Sequence, residues 1–404
     1  MPMDARINED LLIAKGGIAP EGIAGADEGG AEQSGRGDVD NLKRIHTFHY
    51  YIRFMKTNAL ICLALAALSL TAAAPDADAC TRVVYIGDDG YAITGRNLDW
   101  KEDIATNLYV YPRGIVRSGY DVADSTLTWT AKYGSVIAVS YDMGTSEGMN
   151  EAGLCSNLLY LPTSKYTKAN ETRLKMSSAM WVNYVLDNFA TTEEAVRELR
   201  KDVFHIDAPV MPGGSPTTLH MAISDVHGNS AIIEYIDGNL TIYEGKEYRV
   251  LTNAPAYPQQ LAVTEYWKQV GGLNFLPGTN RSYDRFARAS FYVSAIPTNA
   301  SHEMAVAGVF GVIFNCAVPV GISVPEQPEI SSTRWRTVAD QHKLVYYYGT
   351  TLNPSIMWVD LHEFNLKPGA PIMKLDIMNA KRPYYGNVKA DMTRSNGFKP
   401  LFRY

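Results

Sequence analysis

The sequence has little excess charge of either sign. Its 404 residues include 37 lysines and arginines against 43 aspartates and glutamates, which gives a formal net charge of −6. No segment carries the stripe of basic residues that binds nucleic acid, or the basic patch that holds a protein to an anionic membrane surface. The composition therefore predicts that nucleic acid is not a partner and that no electrostatic membrane contact exists.

Motifs for metals and nucleotides are missing as well. The sequence contains no His-Glu-x-x-His, no Cys-x-x-Cys, no Gly-x-Gly-x-x-Gly and no Walker A pattern, which are the patterns that hold zinc, dinucleotides and nucleotide phosphates. The local signature of the papain-like Cys-His enzymes is also absent. We therefore expect a protein that uses neither a metal nor another cofactor.

The longest apolar run is short. Residues 59–74 read ALICLALAALSLTAAA, which is sixteen residues, whereas a helix needs roughly 20 to span a bilayer. The run follows a basic start, MKTN, and precedes an Ala-x-Ala signature at Ala77 and Ala79. This is the layout of a secretory signal peptide. We therefore expect residues 55–79 to be removed by cleavage before Cys80, with no stable membrane anchor afterwards and a periplasmic or secreted location.

Two alternatives to signal cleavage remain open. The apolar run could be a transmembrane anchor, or the chain could be a bacterial lipoprotein that is acylated on Cys80. Lipoprotein signals generally place leucine three positions before the cysteine, where this chain has Ala77, followed by the charged Asp78. Acylation would also consume both the thiol and the amine of Cys80.

Residues 1–54 do not look like part of a folded domain. They include GGIAPEGIAGADEGGAEQSGRGD, which is rich in glycine, alanine and acidic residues and almost free of large apolar side chains. Such a segment cannot bury enough surface to offset the entropy of ordering it. We expect a disordered or artefactual extension here, and a single domain over residues 80–404, which are 325 residues.

The few cysteines differ in their surroundings. Of the four in the chain, Cys62 lies in the expected signal peptide, while Cys155 and Cys316 lie in the apolar stretches GLCSNLLYL and VIFNCAV. These two are expected to be buried, although a disulfide between them stays possible, and Cys80 is expected to be exposed. After cleavage Cys80 would carry a thiol and a free α-amine, whose unperturbed pKa is about 7.7–8.0 and which can exchange a proton with the thiol.

Strand and helix patterns alternate along residues 80–404. A capping box at Thr191 and Glu194 predicts one helix start. Helices sit between two groups of alternating, strand-like segments, which indicates an α+β fold with sheets sandwiched by helices. The expected strands are 108–112, 135–141, 154–161, 219–225, 231–236, 240–245, 333–340, 343–350 and 355–361, and the expected helices are 175–190, 193–201, 283–296 and 303–315.

A hairpin is predicted at the start of the domain. Alternating apolar residues flank the turn sequence Asp88-Asp89-Gly90, which is typical of two antiparallel strands. The second strand would return Arg96 and Asp99 to the edge where Cys80 lies. A guanidinium beside a thiol favours the thiolate, and a carboxylate can hold an α-ammonium. The alternative is an exposed surface pair of Arg96 with Asp99.

Five motifs together resemble the choloylglycine hydrolase family in their order and spacing. This family contains the bile salt hydrolases and penicillin V acylases and belongs to the N-terminal nucleophile hydrolases. The resemblance extends over residues 80–404 and implies a four-layer αββα sandwich that hydrolyses a linear amide with an N-terminal cysteine. The motifs are CTRVVY (80–85), GRNLDW (95–100), GMNEAGL (148–154), VLTNAP (250–255) and LPGTNRSYDRFAR (276–288).

The same resemblance implies roles for the residues that surround the cysteine. Cys80 would be the nucleophile, Arg96 would support its thiolate, and Asp99 would form a hydrogen bond near the freed amine. Arg285 would complete the charged network around these groups.

Two further residues would stabilise the oxyanion of the tetrahedral intermediate. Asn253 would donate from its side-chain amide, and Tyr160 would donate from its backbone N–H. Many bile salt hydrolases have asparagine where this chain has Tyr160, whereas tyrosine is found in penicillin V acylases. A backbone donor survives that change, so the difference concerns substrate preference.

The resemblance leaves the substrate open. A glycine- or taurine-conjugated bile salt is the leading expectation and penicillin V the alternative, since each is a small amide with an apolar acyl part. Specificity is expected to lie in the loops 100–107, 140–147 and 205–216. The family often forms tetramers, so a homo-oligomer is expected. A secreted binding protein without catalytic activity is the remaining alternative.

Overall fold

Two β-sheets with facing side chains form the centre of the structure, which is a computed structural model. It describes residues 80–402 apart from 122–124, 169–170, 213, 215 and 325–326. The expected extension (1–54) and the expected signal peptide (55–79) lie outside the described residues. Within the described part, no helix combines the length and the apolar character that crossing a membrane requires.

Along the described chain, three groups of strands are separated by two groups of helices. The strands are β1 (Thr81–Ile86), β2 (Ala92–Asp99), β3 (Asn107–Tyr111), β4 (Val116–Ser118), β5 (Thr128–Thr130), β6 (Ser135–Ser140), β7 (Gly144–Asn150), β8 (Cys155–Tyr160), β9 (Leu174–Ser177), β10 (Phe204–Asp207), β11 (Leu219–Ser224), β12 (Ser230–Ile236), β13 (Asn239–Glu244), β14 (Val250–Leu251), β15 (Ser323–Val324), β16 (Gln327–Ser331), β17 (Thr333–Asp340), β18 (Val345–Thr350), β19 (Met357–Asp360), β20 (Ile372–Leu375), β21 (Gly386–Asn387) and β22 (Thr393–Ser395). The helices of the described residues are α1 (Ser178–Asn188), α2 (Thr192–Leu199), α3 (Tyr257–Val270), α4 (Ser282–Ala295) and α5 (His302–Asn315), with 3₁₀ turns at Leu361–Glu363 and Lys389–Asp391.

The strands assemble into two large sheets. The first has the order β14-β1-β2-β17-β18-β19-β21, and the second has the order β13-β12-β11-β8-β7-β6-β3-β20-β22. Side chains of the two sheets meet directly: Thr94 of β2 and Ser224 of β11 are joined by a 2.8 Å hydrogen bond between their hydroxyls. The two sheets therefore pack against each other and share one core.

The second sheet is buried on both faces. In β6, Val136 and Ala138 belong to the core between the sheets, whereas Ile137 and Val139 belong to the core beneath α1. Successive side chains of a strand point to opposite faces, so a strand covered on both sides reads as one apolar run. This explains the sequence SVIAVS of β6.

Helices cover the outer face of each sheet. Helix α5 lies so close to β2 that a Cβ on Gly95 would come within 2.5 Å of Val309 and 3.0 Å of Ile313, so only glycine fits there. Helices α1 and α2 belong to the core on the outer face of the second sheet. The order helix, sheet, sheet, helix confirms the predicted α+β fold with its four-layer αββα sandwich.

Most expected elements are present, with shifted ends. The strand expected at 333–340 coincides with β17, and the capping hydroxyl of Thr191 accepts from the Glu194 N–H at 3.2 Å. The predicted start of the helix at 175–190 was wrong, because the helix begins at Ser178. The residues just before it form β9, which pairs in parallel with β10, and the Ser177 side chain caps the helix.

Candidate active site

The β1–β2 hairpin brings Arg96 and Asp99 back to Cys80. Cys80 immediately precedes β1, and Arg82 of that strand stands opposite Arg96 of β2. Nη2 of Arg96 lies 3.9 Å from the Cys80 Sγ, and the thiol lies at the same distance from the carbonyl oxygen of Asp99. The predicted position of these residues beside the cysteine is confirmed.

Arg96 is buried and makes directional contacts with each end of its guanidinium. Nη1 donates to the Glu147 Oε2 at 2.7 Å, and Nη2 donates to the Leu158 carbonyl at 2.5 Å. Burial alone would lower the pKa of Arg96, but the Glu147 carboxylate outweighs it and raises that pKa. Arg96 and Asp99 are each 1% exposed, so the alternative of an exposed surface pair was wrong.

Glu147 is a buried carboxylate that sequence reasoning missed. Besides Arg96, it accepts from the Thr337 hydroxyl at 2.7 Å and from the Tyr346 hydroxyl at 2.6 Å. These donors come from the first sheet, whereas Glu147 belongs to β7 of the second. Its position just before the motif GMNEAGL was the one available signal. The contacts make Glu147 the group that orients Arg96 toward Cys80.

Replacing Glu147 by glutamine should destabilise the fold. The change leaves the buried Arg96 cation without its counter-charge, which typically costs about 3–5 kcal/mol in the free energy of unfolding. Urea unfolding measures it. The matched control is Glu265→Gln, because Glu265 pairs with Lys268 while both side chains are more than half exposed and such a pair contributes little. Equal stabilities of the two variants would contradict the role of Glu147.

Replacing Arg96 by lysine should impair the thiol rather than the fold. Lysine keeps the charge but cannot contact Glu147 and Leu158 while also facing Cys80. Turnover should fall, and iodoacetamide labelling of Cys80 should require a pH about one unit higher, since a less stabilised thiolate forms later. Labelling and turnover curves that overlay those of the wild type would show that Arg96 is scaffold.

Asp99 has a buried carboxylate with few polar neighbours. Among the described residues, neither of its oxygens makes a hydrogen bond of good geometry, although the Thr333 side chain is close enough to act on it as a donor and lower its pKa. Burial raises the pKa of Asp99 to about 7, although the Arg285 cation opposes this shift. A carboxylate at this depth is suited to a cationic donor. The α-ammonium that cleavage before Cys80 would create is such a donor.

Asn253 connects Cys80 to Tyr160. Its Oδ1 accepts a hydrogen bond from the backbone nitrogen of Cys80, and its Nδ2 donates to the Tyr160 carbonyl at 2.7 Å. A side-chain amide has two N–H donors. One N–H of Asn253 bonds Tyr160, and the second is left to donate to the oxyanion, as the family resemblance predicted. The structure therefore brings the two predicted oxyanion residues, Asn253 and Tyr160, together at the cysteine.

The backbone of Asn253 is held by buried side chains. Its N–H donates to the Ser282 hydroxyl at 2.8 Å, and its carbonyl accepts from the Gln260 Nε2 at 2.6 Å. Helices α3 and α4 provide these contacts. Sequence reasoning missed both, and their effect is to fix the side chain that faces Cys80.

Arg285 ties helix α4 to the first residues of β1. Its Nη1 donates to the Cys80 carbonyl at 2.5 Å and to the Thr81 hydroxyl at 2.6 Å, and its Nη2 donates to Asn253 at 3.3 Å. Burial lowers the pKa of Arg285, and the nearby Asp99 partly restores it. The position of Arg285 in a charged network at the cysteine agrees with the prediction.

The three cysteines of the described chain are all buried and unbonded to each other. Burial raises the pKa of the Cys155 thiol well above its ordinary value and raises that of Cys316 to about 11, so neither suits a nucleophile. The expectation that Cys80 is exposed was wrong, since it is only 4% exposed. It lies in a cleft whose walls shield it from bulk solvent.

The cleft has a mostly apolar lining with a few polar groups at its base, which is the composition of small-molecule sites. All three segments expected to set specificity contribute to its lining, but they were wrong as loops in part, because 144–147 belong to β7 and 205–207 to β10. The rings of Trp100 and Tyr160 meet edge to face with centroids 5.4 Å apart. Sequence reasoning missed Leu401, which no local pattern marks. Apolar side chains of the lining are Leu98, Trp100, Ile104, Tyr141, Met143, Leu158, Tyr160, Ala179, Pro209, Met211, Pro212, Leu219 and Leu401.

One sequence pattern of another enzyme class lies close to this site. Residues 144–148, GTSEG, match the Gly-x-Ser-x-Gly pattern of α/β-hydrolases, but they lie within β7, not at the strand-to-helix turn that the pattern requires. Within the described residues, no group of three or more His, Cys, Asp or Glu side chains is placed to hold a metal ion.

Comparisons with known proteins agree with this geometry. A family model for linear amide C–N hydrolases of the choloylglycine hydrolase family matches residues 80–380. The penicillin V acylase of Pectobacterium atrosepticum is 42% identical over 361 residues, which cover 83% of this chain and 94% of that protein.

Solved structures show the same fold. The penicillin V acylase from Agrobacterium tumefaciens has a TM-score of 0.75 and 47% identity, covering 80% of this chain and 99% of that one. A mutant of the conjugated bile acid hydrolase from Clostridium perfringens has a TM-score of 0.64 with 23% identity, covering 76% and 98%. The second likeness concerns the fold alone.

Proposed function

Because the chain belongs to the choloylglycine hydrolase family of linear amide C–N hydrolases, we propose that it hydrolyses penicillin V to phenoxyacetic acid and 6-aminopenicillanic acid. The observation that carries this proposal is the apolar cleft that contains Cys80, in which Trp100 and Tyr160 present aromatic surfaces. An aryloxy group can pack against such rings edge to face or stacked.

The reaction proceeds through a thioester on Cys80. The thiolate attacks the amide carbon, forming an S–C bond, and the negative charge on the carbonyl oxygen is stabilised by Asn253 and the Tyr160 N–H. The C–N bond then breaks as the α-ammonium of Cys80 protonates the leaving amine. Water, deprotonated by the α-amine, attacks the thioester and releases the acid, which restores the thiol.

This mechanism requires a free α-amine on Cys80. We therefore propose that residues 55–79 are a signal peptide, that cleavage occurs before Cys80 and that the enzyme acts in the periplasm or outside the cell. The burial of Asp99 beside Cys80 supports the proposal, because a buried carboxylate is stabilised by a nearby cation such as the new α-ammonium. A diacylglycerol on Cys80, as in a lipoprotein, would block both reacting groups. Assembly into a homo-oligomer, with four chains as one form, stays a prediction.

Conjugated bile salts are the second candidate, although the sequence alone favoured them. Two observations support penicillin V. The chain is 42% and 47% identical to two penicillin V acylases but 23% identical to the bile acid hydrolase structure, and it has a tyrosine at position 160. Membership of a family of amide hydrolases argues against the alternative of a binding protein without catalytic activity.

Parallel turnover assays with penicillin V, glycocholate and taurocholate test the proposal. We expect kcat/KM for penicillin V to exceed that for either bile salt by about tenfold or more, the scale of discrimination that apolar pockets achieve. A higher kcat/KM for glycocholate or taurocholate would reverse the assignment of the substrate. It would leave the mechanism on Cys80 unchanged.

A further inference from the structure

The segment 396–402 contributes to the wall of the cleft although it lies far along the chain from Cys80. It follows β22 and has no regular secondary structure. Leu401 of this segment lines the same cleft as Cys80. None of the motifs around the cysteine includes it.

The backbone on both sides of the Leu401 side chain is fixed. Its N–H donates to the Met143 carbonyl at 2.9 Å, and its carbonyl accepts from the Ser177 hydroxyl at 2.7 Å. The next residue, Phe402, packs its ring edge to face on Tyr120 with centroids 5.7 Å apart. Leu401 is therefore held in place as part of the wall.

Met143, which accepts the hydrogen bond from Leu401, also lines the cleft and lies on a turn that other contacts hold in place. Met143 lines the cleft and follows Asp142, whose φ is 57°. The Asp142 carboxylate accepts from the Tyr109 hydroxyl at 2.6 Å and from the Lys374 Nζ at 2.8 Å. The sheet thus anchors one side of this turn, and the Leu401 N–H anchors Met143 on the other.

We propose that Leu401 is a specificity-determining residue, which limits the size of the acyl group that the cleft accepts. The inference rests on the proposed function, because it assumes that Cys80 cleaves an amide whose apolar acyl part occupies the cleft. Leu401 presents an apolar side chain from a fixed backbone and no group that could transfer a proton. Its substitution should therefore change which acyl groups react and leave the thiol unchanged.

The test measures kcat/KM on penicillin V and on N-acylglycines with acyl chains of increasing length. Leu401→Ala enlarges the cleft, so the ratio of long-chain to short-chain kcat/KM should rise about tenfold, the lower end of the discrimination that one methylene gives in an apolar pocket. Leu401→Trp should lower the same ratio. Leu352→Ala is the matched control, since Leu352 is 84% exposed and does not line the cleft, and it should leave the ratio unchanged.

Iodoacetamide labelling of Cys80 separates the inference from the proposed function. If the Leu401 variants are labelled at Cys80 like the wild type but show a changed ratio of long-chain to short-chain kcat/KM, the role of Leu401 is supported. An unchanged ratio in both Leu401 variants overturns it while the proposed function stands. Should Leu401→Ala fail to fold, Leu401→Val must shift the ratio in the same direction by less, and no shift overturns the inference. A wild-type enzyme that cleaves none of the amides refutes the proposed function itself.

Discussion

Replacing Cys80 by alanine should abolish hydrolysis, with a fall in kcat of more than about 1,000-fold, because no acyl-enzyme can form without the sulfur. The substitution removes one atom from the base of the cleft, so the fold should persist. Turnover of penicillin V and the circular dichroism spectrum measure the two effects.

The other two cysteines provide the matched controls. Cys155→Ala and Cys316→Ala also remove a buried sulfur, yet both should keep activity where they fold, because their raised pKa values leave them protonated. Residual turnover above about one thousandth of wild type in Cys80→Ala would indicate a different nucleophile.

Replacing Asn253 by alanine should reduce kcat by about 100- to 1,000-fold, the usual cost of losing one oxyanion donor. Asn253 also contacts the nitrogen of Cys80 and the Tyr160 carbonyl, so part of the loss reflects positioning. The loss should fall on kcat rather than KM, because the oxyanion exists only during the chemical steps.

Asn253→Asp distinguishes the donor from the remainder of the side chain. Aspartate keeps the size and the acceptor oxygen but lacks the amide N–H, so its kcat should fall as far as that of Asn253→Ala. An aspartate variant with more than about one tenth of the wild-type kcat would show that the Nδ2 donor does not stabilise the intermediate.

The parts of the site that lie close together in sequence could be predicted from spacing. Arg96 and Asp99 follow Cys80 within one hairpin, and antiparallel pairing necessarily returns them to its edge. The alternating pattern of the two strands therefore predicted that both residues return to the edge where Cys80 lies, but it left open whether they form an exposed surface pair.

The distant residues could not be placed in this way. Asn253 and Arg285 lie 173 and 205 positions from Cys80, and they were identified only through the resemblance to a known family. Glu147 and Leu401 were missed, because their importance depends on contacts between sheets and with a segment that has no periodic pattern. The prediction that Cys80 is exposed was wrong for the same reason, because segments distant in sequence form the walls of the cleft that covers it.

One measurement tests the central claim, that Cys80 is both the first residue of the processed chain and the nucleophile. The purified enzyme is mixed with penicillin V, quenched in acid within one turnover, digested and examined by mass spectrometry. We predict a peptide that begins at Cys80 and carries a phenoxyacetyl group on sulfur, which hydroxylamine removes. An acyl group on another residue, a diacylglycerol on Cys80, or a mature chain that begins at Thr81 or later would contradict the account.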